Sequence, residues 1–192
     1  LGSDSRCGDR RGDDLPGGGT EAQAKDLCLR LLTDRARSRA ELAAKLEQKG
    51  FAADVAERTL DRLTEVGLVD DAEFAQQWVR SRHRHAGRGK RALAMELRRK
   101  GIGQHEAAEA LEQIDGDDER ARAAELVRKK LRTQPPLPTE GDRREIAAER
   151  DKVVRRLVGM LARRGYPQGV AFDVVRSELA GLDPEPGDVA TD

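Results

Sequence analysis

At 192 residues with 3% aromatic side chains, the chain is long enough for one ordinary domain or several small ones, but too poor in large rings for a single thick core. Charged residues make up 38% of it, and 36 basic against 36 acidic excludes a global attraction to nucleic acid, leaving only local ones. No apolar run approaches membrane-spanning length, no secretory signal is visible, and two cysteines, Cys7 and Cys28, are too few for a disulfide framework, so a soluble protein of a reducing cytoplasm is expected.

Residues 1–19 are dominated by Gly, Asp, Arg and Ser and read as a disordered tail. Thr20 is placed to cap a helix running to about Asp34, with Ala24, Leu27, Cys28, Leu31 and Leu32 on one face. Ser38 and Glu41 form a capping box for a second helix ending at Gly50, and a third runs from about Ala53 to Glu65, burying Val55, Ala56, Leu60 and Leu63. These three short helices make a first repeat over 20–66.

A second repeat, 67–115, opens with Asp70 and Glu73 as the next capping box. Its first helix carries an apolar stripe of Phe74, Ala75, Trp78 and Val79, for which core packing is a better reading than base stacking. The same helix then turns basic through Arg80, Arg82, His83, Arg84 and His85 until Gly87 and Gly89 break it. The third repeat, 116–181, starts at Asp117 and Asp118. It contains a loop near 133–141, because Pro135, Pro136 and Pro138 cannot continue a helix. Asp142 and Glu145 form another capping box, starting a long helix that reaches Gly165, Pro167 suits the first turn of the last helix, and 182–192 form an acidic flexible tail.

The repeats share a six-residue pattern. Leu46–Glu47–Gln48–Lys49–Gly50–Phe51, Leu97–Arg98–Arg99–Lys100–Gly101–Ile102 and Leu161–Ala162–Arg163–Arg164–Gly165–Tyr166 each place a leucine, a base, a glycine and a large apolar residue at the same intervals. That is the sequence of a helix stop: Gly takes the left-handed conformation, and the apolar residue after it folds back onto the leucine. The pattern extends to Leu42, Leu93 and Leu157 upstream, and to Leu60, Leu111 and Val175 downstream. Successive stop glycines are 51 and then 64 residues apart, so the third repeat carries an insertion. Recurrence with this composition reads as an elongated all-α array of three tandem three-helix repeats.

Gly67, Leu68, Val69, Asp70, Asp71, then Phe74, Ala75 and Trp78, then Arg80, Arg82 and Gly87, and finally Glu96, Leu97, Lys100, Gly101 and Ile102 resemble the central signature of the RecX family, small bacterial regulators of the RecA recombinase. The resemblance covers roughly residues 22–181. It implies a curved array that lodges in the groove of the RecA filament on single-stranded DNA and restrains filament growth, ATP hydrolysis and strand exchange. The proline-bearing insertion departs from the plain repeat.

Charge segregation fits a partner of mixed sign. Between Arg80 and Lys100 there are nine Lys or Arg against one acid, Glu96, whereas 101–119 hold seven acids and no Lys or Arg. Bases return at Arg120, Arg122, Arg128, Lys129, Lys130 and Arg132, and again along 143–164. The plainer reading of each block is a solvated helix face paired with its neighbour. Direct action on DNA without the recombinase is the alternative function, weakened by the scarcity of exposed aromatics for stacking.

Catalysis has little to stand on. Gly87–Arg88–Gly89–Lys90 lacks the Ser or Thr and the leading glycine of a phosphate loop, His83 and His85 are two apart and diverge on a helix, and the paired acids Asp70–Asp71 and Asp117–Asp118 are explained as helix starts. No catalytic, cofactor or metal residue is assigned. The expected partner-binding residues are Arg82, Arg84, Arg88, Lys90, Arg98, Arg99 and Lys100 in the second repeat, with Arg155, Arg156, Arg163 and Arg164 in the third. The expected partner is the RecA filament, with weak contact to single- or double-stranded DNA within it, no membrane, and a monomeric protein.

Overall fold

The computed structural model describes residues 19–136 and 141–181. The expected tails at 1–18 and 182–192 and the centre of the proline-bearing insertion, 137–140, lie outside the described residues. Gly19, read as the end of the first tail, is buried, and a Cβ there would meet the Phe51 ring at 2.3 Å.

Among the described residues the chain is all helical, with no strand: α1 (Glu21–Asp34), α2 (Arg39–Gln48), α3 (Ala53–Glu65), α4 (Asp71–Ala86), α5 (Lys90–Arg99), α6 (Gln104–Glu112), α7 (Gly116–Leu131), α8 (Arg143–Arg163) and α9 (Gln168–Ala180). It divides into two compact units, one up to Phe74 and one from Ala75 onward, so residues 67–74 of the second expected repeat fall in the first unit and the rest of it shares the second unit with the third repeat.

In the first unit α1, α2 and α3 enclose Ala24, Cys28, Leu42, Leu46, Leu60 and Leu63, with Val69 closing the same core. Leu27, Leu31 and Leu32 flank it only partly buried, because a face as wide as α1 presents cannot all turn inward. The expected capping box of Ser38 with Glu41 forms on α2, and Thr20, expected to cap α1, makes one with Gln23. Ser38 is fully buried, and such a cap contributes ~1 kcal/mol.

The second unit buries Ala75, Val79, Leu93, Leu97, Ile102, Ala110 and Ile114 in its first half. In its second half α9 packs on both α7 and α8 around Val127, Val153, Leu157, Leu161, Tyr166 and Val175. α8 has 21 residues where its counterpart α5 has 10, so much of the extra length of the third repeat is helix rather than loop.

All three helix stops have the expected geometry. The N–H groups of Phe51, Ile102 and Tyr166 donate to the carbonyls of Leu46, Leu97 and Leu161 at 3.1–3.2 Å. Gly50, Gly101 and Gly165 sit at φ of 80, 73 and 90°, where a side chain is strained.

Three helix starts differ from expectation. α7 begins one residue earlier, at Gly116, because Asp115 is the cap and accepts from the N–H groups of Asp117 and Asp118 at 2.8 and 2.7 Å. Asp142 accepts from the Arg144 N–H at 2.7 Å, one residue short of the box geometry. Pro167 is the cap of α9 rather than a residue of its first turn.

Candidate functional site

The expected site residues of the second repeat gather around one carboxylate. Glu96 on α5 accepts from the Trp78 indole N–H at 3.0 Å and from Arg82 Nε at 3.0 Å, and lies 3.3 Å from Arg88 Nε. Burial alone would push the Glu96 carboxyl up, but the hydrogen bonds from Arg82 and Trp78 and the charges of Arg82 and Arg88 outweigh it and hold the carboxyl below its ordinary 4.5. Trp78 is half-buried at the edge of the core, not inside it, with the Lys100 ammonium 4.4 Å and the Arg82 guanidinium 5.5 Å from its ring centre. Three expected contact residues, Arg82, Arg88 and Lys100, are thus tied into this cluster. Arg98 and Arg99 are exposed at the end of α5.

The turn Gly87–Arg88–Gly89 docks the second repeat onto the third. Gly89 N–H donates to the Arg164 carbonyl at 2.9 Å and Arg91 N–H to the Gly165 carbonyl at 3.3 Å, while Arg164 Nη1 reaches back to the Ala86 carbonyl at 2.9 Å. The approach is backbone to backbone: a Cβ on Gly89 would lie 2.7 Å from the Gly165 oxygen, and one on Gly165 would lie 2.4 Å from Ala92. His83 Nδ1 faces the Arg88 carbonyl at 2.8 Å, and the Lys90 N–H donates to buried Glu119 at 3.0 Å. The glycines that looked like a degenerate phosphate loop are a docking turn.

Docking creates a groove of about 570 Å³ between the end of α4, α7 and α8. Its walls hold Arg122, Arg128, Lys129, Lys130 and Arg132 from α7 and the residue after it, Arg164 from beyond α8, and His85 from α4; Leu126 and Met160 add apolar surface. Among the described residues Glu125 is the only acid lining it. A second hollow of about 380 Å³, lined by Arg80, Arg84 and Asp118 among others, shares Arg122 and Glu125 with the first. Arg128, Lys129 and Lys130 occupy the last turn of α7, where they also favour the helix dipole.

Beneath the groove lies a buried polar seam. Burial pushes the Tyr166 phenol up to about 12 despite the neighbouring Arg122 charge. Among the described residues neither the Tyr166 hydroxyl nor Arg122 Nε has a hydrogen-bond partner. Arg122 is nevertheless fixed in place, since its Nη atoms bond to Glu125 and to the Arg84 carbonyl.

Of the expected residues, Arg164 borders the groove and Arg84 the adjoining hollow. Arg155, Arg156 and Arg163 are exposed on α8, where Arg155 bonds to the Asp151 carbonyl at 3.3 Å and Arg156 to Gln134. Arg122, Arg128, Lys129, Lys130 and Arg132 were visible in the sequence as a returning basic block, yet not among the expected site residues. Their convergence with α4 and α8 depends on the docking turn, which no local pattern announces. Many convergent positive charges suit the neutralisation of phosphates or carboxylates.

Comparison with known proteins agrees with this architecture. The family model for the first three-helix domain of RecX matches residues 24–63, and that for the second three-helix domain matches residues 70–111. The regulatory protein RecX of Mycolicibacterium smegmatis is 58% identical over 161 residues, which cover 83% of this chain and 81% of that protein. The regulatory protein RecX of Mycolicibacterium vanbaalenii is 60% identical over 158 residues, covering 82% and 83%. A crystal structure of RecX from Lactobacillus salivarius superimposes with a TM-score of 0.65 at 19% identity, over 85% of this chain and 96% of that one. A second crystal structure of regulatory protein RecX gives 0.64 at 22% identity, over 82% and 71%, and both extend the likeness to the fold. With identity above half over more than four-fifths of its length, the chain belongs to the RecX family of regulatory proteins.

Proposed function

We propose that this protein is a non-enzymatic cytoplasmic regulator that binds the RecA filament on single-stranded DNA, enters its helical groove, and restrains ATP hydrolysis, filament extension and strand exchange, thereby modulating recombination and DNA repair. The observation that carries the reading is the basic groove between α4, α7 and α8, a concentrated positive surface in a chain of zero formal net charge. A nucleoprotein filament offers acidic protein surface and phosphate side by side, and local charge of this kind steers association and fixes register more than it adds raw affinity. The third helices of the first two repeats argue against a sequence-specific reader. The exposed positions of α3 include Asp54, Glu57 and Asp61, and those of α6 include Glu109 and Glu112, which repel a DNA groove.

The test is the single-stranded-DNA-dependent ATPase of the cognate recombinase titrated with this protein, beside its direct binding to the same DNA. Inhibition below one protein per recombinase protomer, with weak direct binding, is the expected result. Tight, salt-sensitive DNA binding without inhibition would replace the reading with a direct DNA-binding module.

A further inference from the structure

The last helix ends against the wall of the basic groove, and the residues beyond it are the groove's electrostatic opposite. Glu178, in the last turn of α9, pairs with Arg128 at 3.3 Å, and Arg128 lines the groove. α9 closes at Gly181, three residues on, and helical residues advance only ~1.5 Å each. The next residues, Leu182–Asp183–Pro184–Glu185–Pro186–Gly187–Asp188, continue to Asp192 with four acids and no Lys or Arg. A chain spans at most ~3.3–3.6 Å per residue, so the eleven residues after Gly181 are long enough to reach the rim.

We propose that the acidic segment 182–192 seats on the groove formed by Arg122, Arg128, Lys129, Lys130 and Arg132 and competes there with the phosphates or carboxylates of a partner. The inference rests on the groove being the polyanion-binding surface described under the proposed function. The short tether holds the segment at an effective concentration on the order of millimolar. Exposed ion pairs are individually weak and salt-screened, so the segment lowers partner affinity severalfold and does not close the surface.

Two measurements on the full chain test this. In the first, Asp183→Asn, Glu185→Gln, Asp188→Asn and Asp192→Asn are combined, and binding to a fluorescein-labelled oligodeoxythymidylate is followed by anisotropy at one low ionic strength. The neutralised protein should bind about fivefold tighter. Adding Arg128→Ala, Lys129→Ala and Arg132→Ala should erase that gain; unchanged affinity, or a gain that survives loss of the groove bases, overturns the proposal. In the second, zero-length carbodiimide coupling of the free protein should join carboxylates of 182–192 to Lys129 or Lys130. Coupling to Lys152 on α8 instead, or none to the segment, overturns it. If the oligonucleotide does not bind even the neutralised protein, the coupling decides alone. Links to Lys129 or Lys130 would then leave the segment's seat standing while the polyanion reading of the groove falls.

Discussion

Glu96 is the residue on which the charge arrangement of the second repeat turns, because one carboxylate holds Trp78, Arg82 and Arg88. Its composition was legible: Glu96 is the single acid among nine bases in that block. Its role was not, since the stripe containing Trp78 reads equally well as plain core. The carboxyl is held below 4.5 in the folded protein, so the stabilisation it provides is present at neutral pH and is lost as pH falls through the folded value. Glu96→Gln should destabilise the protein by about 1 kcal/mol at pH 7, after discounting for the partly exposed arginines. The gap in melting temperature between variant and parent should close at acidic pH. A gap of constant size from pH 7 to pH 3 would mean that the ionised carboxylate is not what holds the cluster.

Helix ends were the most legible elements, because a stop needs only a glycine, a leucine four residues before it and an apolar residue after it, all local in sequence. Helix starts were legible where a Ser or Thr cap made a reciprocal pair and less so at Asp115, where adjacent acids at 115, 117 and 118 offered competing caps. The local motif also concealed a second duty of one copy. Gly165 is at once a helix stop and the surface on which α5 rests, whereas Gly67, a left-handed glycine at φ +70° after α3 and outside the motif, has nothing within 4 Å of where a Cβ would stand. Gly67→Ala should therefore cost only the left-handed strain, ~1 kcal/mol. Gly165→Ala should cost several kcal/mol, because the Cβ collides with Ala92 and forces the second and third repeats apart. Chemical denaturation of both variants checks this, and equal losses would show that the close approach of Gly89 and Gly165 contributes nothing.

In the molecule taken whole, the all-helical repeat architecture followed from periodicity and composition, and the groove did not. Arg122 and Arg132, His85 and Arg164 are brought together by the contacts that dock the second repeat on the third, among them Gly89 on Arg164 and Arg122 on Arg84. Charge counts along the chain instead drew attention to Arg82, Arg88 and Lys100, which the fold engages around Glu96 and Trp78. The two basic surfaces of the second unit can be separated experimentally, because Arg98 and Arg99 stand exposed on α5 while Arg128, Lys129 and Arg132 line the groove. The deciding measurement is inhibition of the recombinase ATPase by three proteins: the parent, Arg98→Ala with Arg99→Ala, and Arg128→Ala with Lys129→Ala and Arg132→Ala, each first shown to keep its helical circular dichroism. The groove variant should need about tenfold more protein for half-inhibition and should lose roughly two to three units of salt dependence, with the α5 variant close to the parent. Full inhibition by the groove variant, with loss of inhibition in the α5 variant, would contradict the proposed role of the groove and move the working surface to the end of α5.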